Sequence, residues 1–165
     1  MTTYLALERA IARVAAVLLA LTGVFLTFEV VARYFFTKPT IWAAELSQLC
    51  LIWAVPIGMA WVLSTGGHIR ITALTALAPA PLRRAMELVS LGVILAFSLV
   101  VTVYGYDIFA DSLERGRTSG TMLNLKAWVR EASVPAGFAL LAVSCVANMW
   151  RVLSGDMPDT RATAE

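Results

Sequence analysis

The sequence predicts an all-α integral membrane protein with four transmembrane helices, because an apolar composition is combined with four long apolar windows. Of the 165 residues, 59% are hydrophobic and only 15% are charged, and the mean hydropathy is +0.77, well above that of a soluble domain. A soluble helical core would have shorter apolar windows, and a β-barrel would show short alternating segments. The windows, each near the ~20 apolar residues that a bilayer demands, are 14–31, 46–63, 88–104 and 132–150.

The first window is interpreted as a retained helix and not as a secretory signal. It follows the basic residues Arg9 and Arg13, as a signal does. Its apolar run continues to Val31, however, which exceeds the ~7–15 residues of a signal's apolar region. We therefore predict a single four-helix membrane domain over residues 1–155 and a disordered tail over residues 156–165.

The first two connections between the windows differ in character. Lys38 and Pro39 end the first helix and force a tight hairpin. After the second window, Gly66 and Gly67 break the helix, and apolar residues then recur at near-helical spacing over residues 71–78. This pattern predicts a short interfacial helix between the second and third transmembrane helices.

The third connection, residues 105–131, is the longest and the most charged. Its first part keeps helical spacing, with Asp111 four residues before Arg115, which is a favourable order of charges on a helix. We expect the third helix to continue beyond the bilayer until Gly116 or Gly120.

Charge neither orients the protein nor indicates a nucleic-acid partner. With four spans, seven of the 13 basic residues fall on the side of the termini and six on the other, so the positive-inside rule does not choose between the orientations. The net charge is only +2, and the basic residues are scattered along the membrane edges, where they contact membrane lipids. The two cysteines, Cys50 and Cys145, lie inside apolar windows, which favours packing over a disulfide.

Three charged residues at the first hairpin allow three interpretations. Glu29 lies four residues before Arg33, on one helix face, and Glu45 begins the second helix. All three side chains can extend into the headgroup region; alternatively, Arg33 bridges across the hairpin to Glu45, locking the two helices or docking a partner. A transport carboxylate is the third interpretation and favours Glu29, although its position near a helix end argues against this role.

Catalytic and cofactor sites are not indicated by the residue inventory. A haem-anchoring subunit commonly needs two axial histidines, whereas this chain has only His68. The stripe formed by Asp107, Asp111 and Glu114 has helical spacing and is typical of a solvated face. No nucleophile with a neighbouring base is visible. We therefore expect no cofactor, no metal and no enzymatic activity.

Four stretches, taken together and in order, resemble a known family. They are "VARYFF", "IWAAELSQLCLIW", "GMAWVLSTGGHIRI" and "LNLKAWVREASVPAGFALL", between Glu29 and Leu141. In this order they are similar to the small membrane subunit, the DctQ type, of tripartite ATP-independent periplasmic (TRAP) transporters. The positions that match the motifs of that family are Arg33, Tyr34, Trp42, Glu45, Leu46, His68, Ile69, Trp128, Pro135 and Gly137.

The sequence departs from the family pattern at two acidic positions. Ala44 replaces the first of two paired glutamates, and Thr72 replaces the aspartate that often follows the His-Ile pair. These changes weaken any universal role for those acids but leave the architecture unaffected.

The resemblance implies a subunit of the bacterial inner membrane with both termini in the cytoplasm. It implies a stable complex with a large permease subunit that carries substrate and sodium. It also implies a transient periplasmic binding protein that delivers an organic acid such as a dicarboxylate, sialic acid or sugar acid.

A scaffold function is the prediction that combines the resemblance with the residues. The competing hypotheses are an autonomous proton-coupled exporter that uses Glu29 or Glu45, and a respiratory membrane anchor, which the single histidine disfavours. In the scaffold interpretation, the hairpin fixes the depth and angle of the first two helices. The residues expected to lock this hairpin or to contact the partner are Glu29, Arg33, Tyr34, Trp42, Glu45, His68, Trp128 and Pro135.

Overall fold

The computed structural model describes residues 2–64, 79–120 and 124–154, and these residues are helical apart from short connections. This confirms the all-α prediction. Within these described residues, four segments are long and apolar enough to cross a membrane, and the last two helices form one of these segments together. The helices are α1 (Thr2–Phe35), α2 (Ile41–Ser64), α3 (Ala80–Glu114), α4 (Ala127–Glu131) and α5 (Ser133–Leu153).

The helix boundaries follow from local backbone chemistry. Thr37 has a φ of 51° just after α1. This left-handed conformation is incompatible with a right-handed helix, so α1 ends there, and Pro39 follows two residues later. Pro79 and Pro81 flank the start of α3. Proline is tolerated there because the first N–H groups of a helix have no hydrogen-bond partner within the helix. The third helix ends just before Gly116, whose φ is 59°. The predicted continuation of this helix to Gly116 is thus confirmed, and its extension beyond the bilayer stays a prediction.

The long helices lie side by side in the order α1, α2, α5, α3, which we call the helix layer. α1 packs along α2, α2 along α5, and α5 along α3. Among the described residues, any other pair of long helices makes at most a marginal contact. The two edge helices, α1 and α3, each have only one long neighbour, so most of their apolar surface stays uncovered.

The most closely packed part of the layer is the crossing of α2 and α5. Gly137 lies directly against Pro56, so that a Cβ added at Gly137 would be 2.1 Å from the Pro56 Cβ. On the other side of α5, Gly105 of α3 approaches Pro135, where an added Cβ would be 3.3 Å from the proline Cδ. Two glycines therefore let three helices approach closely at one depth.

A small core holds α2, α3 and α5 together towards the ends of α2 and α5. It contains Leu63 of α2, Leu91 of α3 and three α5 residues, of which Cys145 is completely buried. Cys145 and Cys50 are free thiols, and the burial of Cys145 agrees with a packing role.

Three sequence predictions lie outside the described residues. They concern the interfacial helix after Gly66 and Gly67, the role of His68, and the tail over residues 156–165.

Candidate functional site

The hairpin between α1 and α2 is closed by Glu29, a carboxylate that is only 5% exposed. Its Oε1 accepts a hydrogen bond from Arg33 Nη2 at 2.7 Å, within α1. Its Oε2 accepts from the backbone N–H of Thr40 at 2.9 Å and also from the Thr40 hydroxyl. Glu29 therefore connects the last turns of α1 to the residue that precedes α2.

This contact suits the chemistry of a helix start. The first N–H groups of a helix have no partner within the helix, and a negative charge near that end is favourable. Glu29 supplies both an acceptor and a charge to the beginning of α2. Arg33, whose side chain is 58% exposed, balances that charge from the outer side of the contact.

Aromatic contacts add to the polar closure of the hairpin. Trp42, in the first turn of α2, lies against Phe25 and Phe28 of α1, with ring centroids 6.2 Å and 5.4 Å apart. Such pairs contribute about 0.5–1.5 kcal/mol beyond their buried area. Trp42 therefore helps to fix the angle between the two helices.

Tyr34 lies in a different environment from Trp42. Its side chain is 77% exposed, as are those of Phe35 and Phe36 at 81% and 68%. These aromatic residues project from the end of α1, where a membrane surface or a partner could contact them. A role of Tyr34 in a partner interface stays a prediction.

The polar contact across the hairpin was missed by sequence reasoning. The ion pair that the structure shows for Arg33 is with Glu29 of its own helix. Glu45 instead faces a cleft that Lys126 and Arg130 also line, and its bridge to Arg33 stays a prediction. The sequence feature that could have indicated this contact is Thr40, because threonine is a favoured N-cap residue and Thr40 directly precedes an apolar run.

Deeper in the hairpin, α1 and α2 approach through small residues. Thr22 donates its hydroxyl to the Leu18 carbonyl at 2.9 Å and approaches the Ser47 carbonyl at 3.4 Å. Ser47 is 2% exposed and donates to the Ala44 carbonyl at 2.7 Å. Each hydroxyl thus donates to a backbone carbonyl, so the close approach of the two helices leaves neither hydroxyl without a hydrogen bond.

A second connection joins α2 to α4. The Trp53 indole N–H donates to the carbonyl of Val129 at 3.0 Å. The neighbouring Trp128 stacks edge to face on Phe109 of α3, with centroids 6.5 Å apart. Trp128 and Pro135 therefore lie where α4 and α5 meet α3.

The connection before α4 is held by an ion-pair network and backbone hydrogen bonds. Asp111 pairs with Arg115 at 2.6 Å and with Arg117 at 2.8 Å. Ser119 N–H donates to the Leu125 carbonyl at 2.8 Å, which brings the two ends of this connection together. A further bond from Ala127 N–H to the Arg117 carbonyl at 2.9 Å ties the start of α4 to the residues that follow α3.

The geometry around Glu29 is that of a structural contact. Both oxygens of Glu29 accept hydrogen bonds, and across residues 2–64, 79–120 and 124–154 no three His, Cys, Asp or Glu side chains form a metal-binding group. The arrangement positions helices relative to one another.

Four apolar helices in one layer, closed by a polar hairpin contact, define a multi-pass all-α membrane protein. A family model described as "Tripartite ATP-independent periplasmic transporters, DctQ component" matches residues 21–155. The chain therefore belongs to the DctQ family and is a transporter component, which confirms the resemblance.

Curated relatives carry the same family name. The chain is 27% identical to the C4-dicarboxylate TRAP transporter small permease protein DctQ of Vibrio cholerae, with 80% of this chain and 66% of that protein covered. Identity to proteins of the same name is 29% in Rhodobacter capsulatus (61% and 44% covered) and 24% in Pseudomonas aeruginosa (68% and 54% covered). The chain spans two thirds or less of the length of each relative.

Proposed function

We propose that this chain is the small scaffold subunit of a TRAP-type secondary transporter. In this proposal it braces a large, elevator-type permease subunit that couples organic-acid uptake to sodium. A periplasmic binding protein delivers the substrate, and the relatives named for C4-dicarboxylates favour a dicarboxylate over a sialic acid or sugar acid. The chain lies in the bacterial inner membrane with both termini in the cytoplasm.

The observation that carries the proposal is the open helix layer. A closed four-helix bundle buries one face of every helix, whereas α1 and α3 at the edges of this layer each pack on one long neighbour. Large side chains along α3, such as Val93, Phe97 and Val103, are at least 60% exposed. A protein that leaves so much apolar surface uncovered is suited to contacting lipid or another membrane protein along its whole height.

The contacts between neighbouring helices support a bracing function. The hairpin contact of Glu29, the indole bond of Trp53 and the close Pro56–Gly137 crossing each fix one pair of neighbouring elements. A layer with fixed angles can hold a partner's immobile part in place while another part moves.

Reconstitution tests the proposal. The chain is placed in proteoliposomes alone, with the large permease subunit, and with both the permease and the binding protein, and sodium-driven uptake of a labelled dicarboxylate is measured. We expect uptake only with the complete set. Uptake by the isolated chain, abolished by Glu29→Gln, would replace the scaffold with the exporter hypothesis.

A further inference from the structure

A cleft opens between the first half of α2 and the segment that leads into α4. Its floor is apolar and is formed by Leu49 and Ile52 of α2 and by Val129 of α4. It lies at the end of the layer that carries the α1–α2 turn, since the first turns of α2 form one of its walls.

The rim of this cleft carries two cations close together. Lys126 and Arg130 are four residues apart, and both are exposed. Within the part of the chain that the structure describes, neither forms an ion pair. Gln48 on the α2 side is exposed and adds an amide donor, while the half-buried Glu45 is the carboxylate of the cleft. Adjacent cations of this kind favour an anionic group between them.

The surroundings of the cleft select the kind of anion. Next to the cleft lining on α2, Leu51 and Val55 are 43% and 49% exposed on a membrane-spanning helix, and Val55 lies three residues after Ile52 on the same helix face. A free inorganic anion would use the rim and leave the floor empty. A molecule that joins a phosphate to a hydrocarbon chain would satisfy both parts.

We propose that the cleft binds one phospholipid molecule. Its phosphate lies between Arg130 and Lys126 and accepts a further hydrogen bond from the Gln48 amide. One acyl chain follows the floor towards the exposed face of α2. The planar guanidinium of Arg130 provides two parallel donors for phosphate oxygens, which a lysine cannot do.

The walls of the cleft are held in place by contacts of the protein itself. The Trp53 indole fixes the Val129 carbonyl at 3.0 Å, and the bond from Ser119 N–H to the Leu125 carbonyl fixes the segment before Lys126. Because the site is formed before the lipid arrives, binding requires little ordering of the chain.

The test is a lipid titration of the full chain in mild detergent, followed by native mass spectrometry. The probes are dioleoyl phosphatidylglycerol, dioleoylglycerol, which lacks the phosphate, and inorganic phosphate as a competitor. The double variant Lys126→Gln, Arg130→Gln is compared with Arg13→Gln, Arg84→Gln, which removes two exposed cations elsewhere and changes the net charge equally.

We expect the Kd of the first bound phosphatidylglycerol to rise about tenfold or more in the cleft variant, because two charge-assisted contacts are lost. The Kd of the control variant should change less than about twofold. Dioleoylglycerol should bind more weakly than phosphatidylglycerol, and inorganic phosphate should not displace the lipid.

Three results would overturn the proposal: equal weakening in both double variants, equal binding of dioleoylglycerol, or displacement by inorganic phosphate. A fold check by tryptophan emission accompanies each variant. If the double variant does not fold, Gln48→Leu serves in its place, with an expected rise in Kd of about threefold. An unchanged Kd in a folded Gln48→Leu protein would then refute the assigned phosphate contact.

Discussion

The crossing of α2 and α5 offers the sharpest test of the fold, through the substitution Gly137→Ala. The added Cβ would lie 2.1 Å from the Pro56 Cβ and 3.0 Å from the Pro56 Cα and carbonyl carbon. Carbon atoms pack at about 3.5–4.0 Å, so the two helices would have to separate by roughly 1.5 Å. The obstacle includes backbone, which cannot rotate away.

The expected cost follows from overpacking in a closely packed interface. Forcing extra atoms into such a contact typically lowers the free energy of unfolding by about 1–3 kcal/mol. We expect Gly137→Ala to unfold at a lower denaturant concentration than the wild type, measured by tryptophan fluorescence of the detergent-purified chain. Adding Pro56→Gly should restore part of the loss, because it removes the nearest carbon atom.

Two other glycines provide the control. A Cβ at Gly23 or Gly92 would meet no atom within 4 Å, and alanine favours helices by about 1 kcal/mol over glycine. Gly23→Ala and Gly92→Ala should therefore be neutral or stabilising. The proposed crossing would be refuted if Gly137→Ala behaved like these two controls.

Three further predictions concern the hairpin and its surroundings. Thr40→Val keeps the side-chain shape but removes the hydroxyl donor to Glu29, and should lower the free energy of unfolding by about 1–2 kcal/mol. In the double variant, Glu29→Gln should cost less than it does in the wild-type background. Full additivity of the two losses in a double-mutant cycle would contradict a shared contact. Trp53→Phe removes the indole donor to the α4 carbonyl and should lower the free energy of unfolding by about 1 kcal/mol. This loss should appear as a lower denaturation midpoint, and an unchanged midpoint would argue against that bond. Single cysteines at Lys38 and Arg117, in a background without native cysteines, should both react with an impermeant maleimide from outside the cell, and labelling only after membrane disruption would invert the proposed orientation.

The sequence predicted the elements of this fold well because their signals are local. Apolar windows of bilayer length indicated four helices, and Pro39 placed the first turn. The charge order of Asp111 and Arg115 indicated that α3 continues past its apolar window, and their ion pair is present at 2.6 Å. Each of these signals depends on residues close together in the chain.

The order of the helices and the crossing geometry could not be predicted in the same way. In a membrane, surfaces that contact lipid and surfaces that contact another helix are both apolar, so periodicity does not identify the buried face. Gly137 and Pro56 are 81 positions apart in the sequence and meet only because α5 enters between α2 and α3. Likewise, Glu29 contacts Thr40 only after the turn has brought α2 back against α1.

The open layer has a consequence for how this protein is handled. A closed bundle carries its own solvent-free interior, but here most side chains of α1 and α3 contact whatever surrounds the protein. The choice of detergent or lipid therefore acts like a substitution of many core residues at once. The measured free energy of unfolding therefore depends on the detergent or lipid as well as on the sequence. Effects of substitutions are comparable only within one membrane mimic.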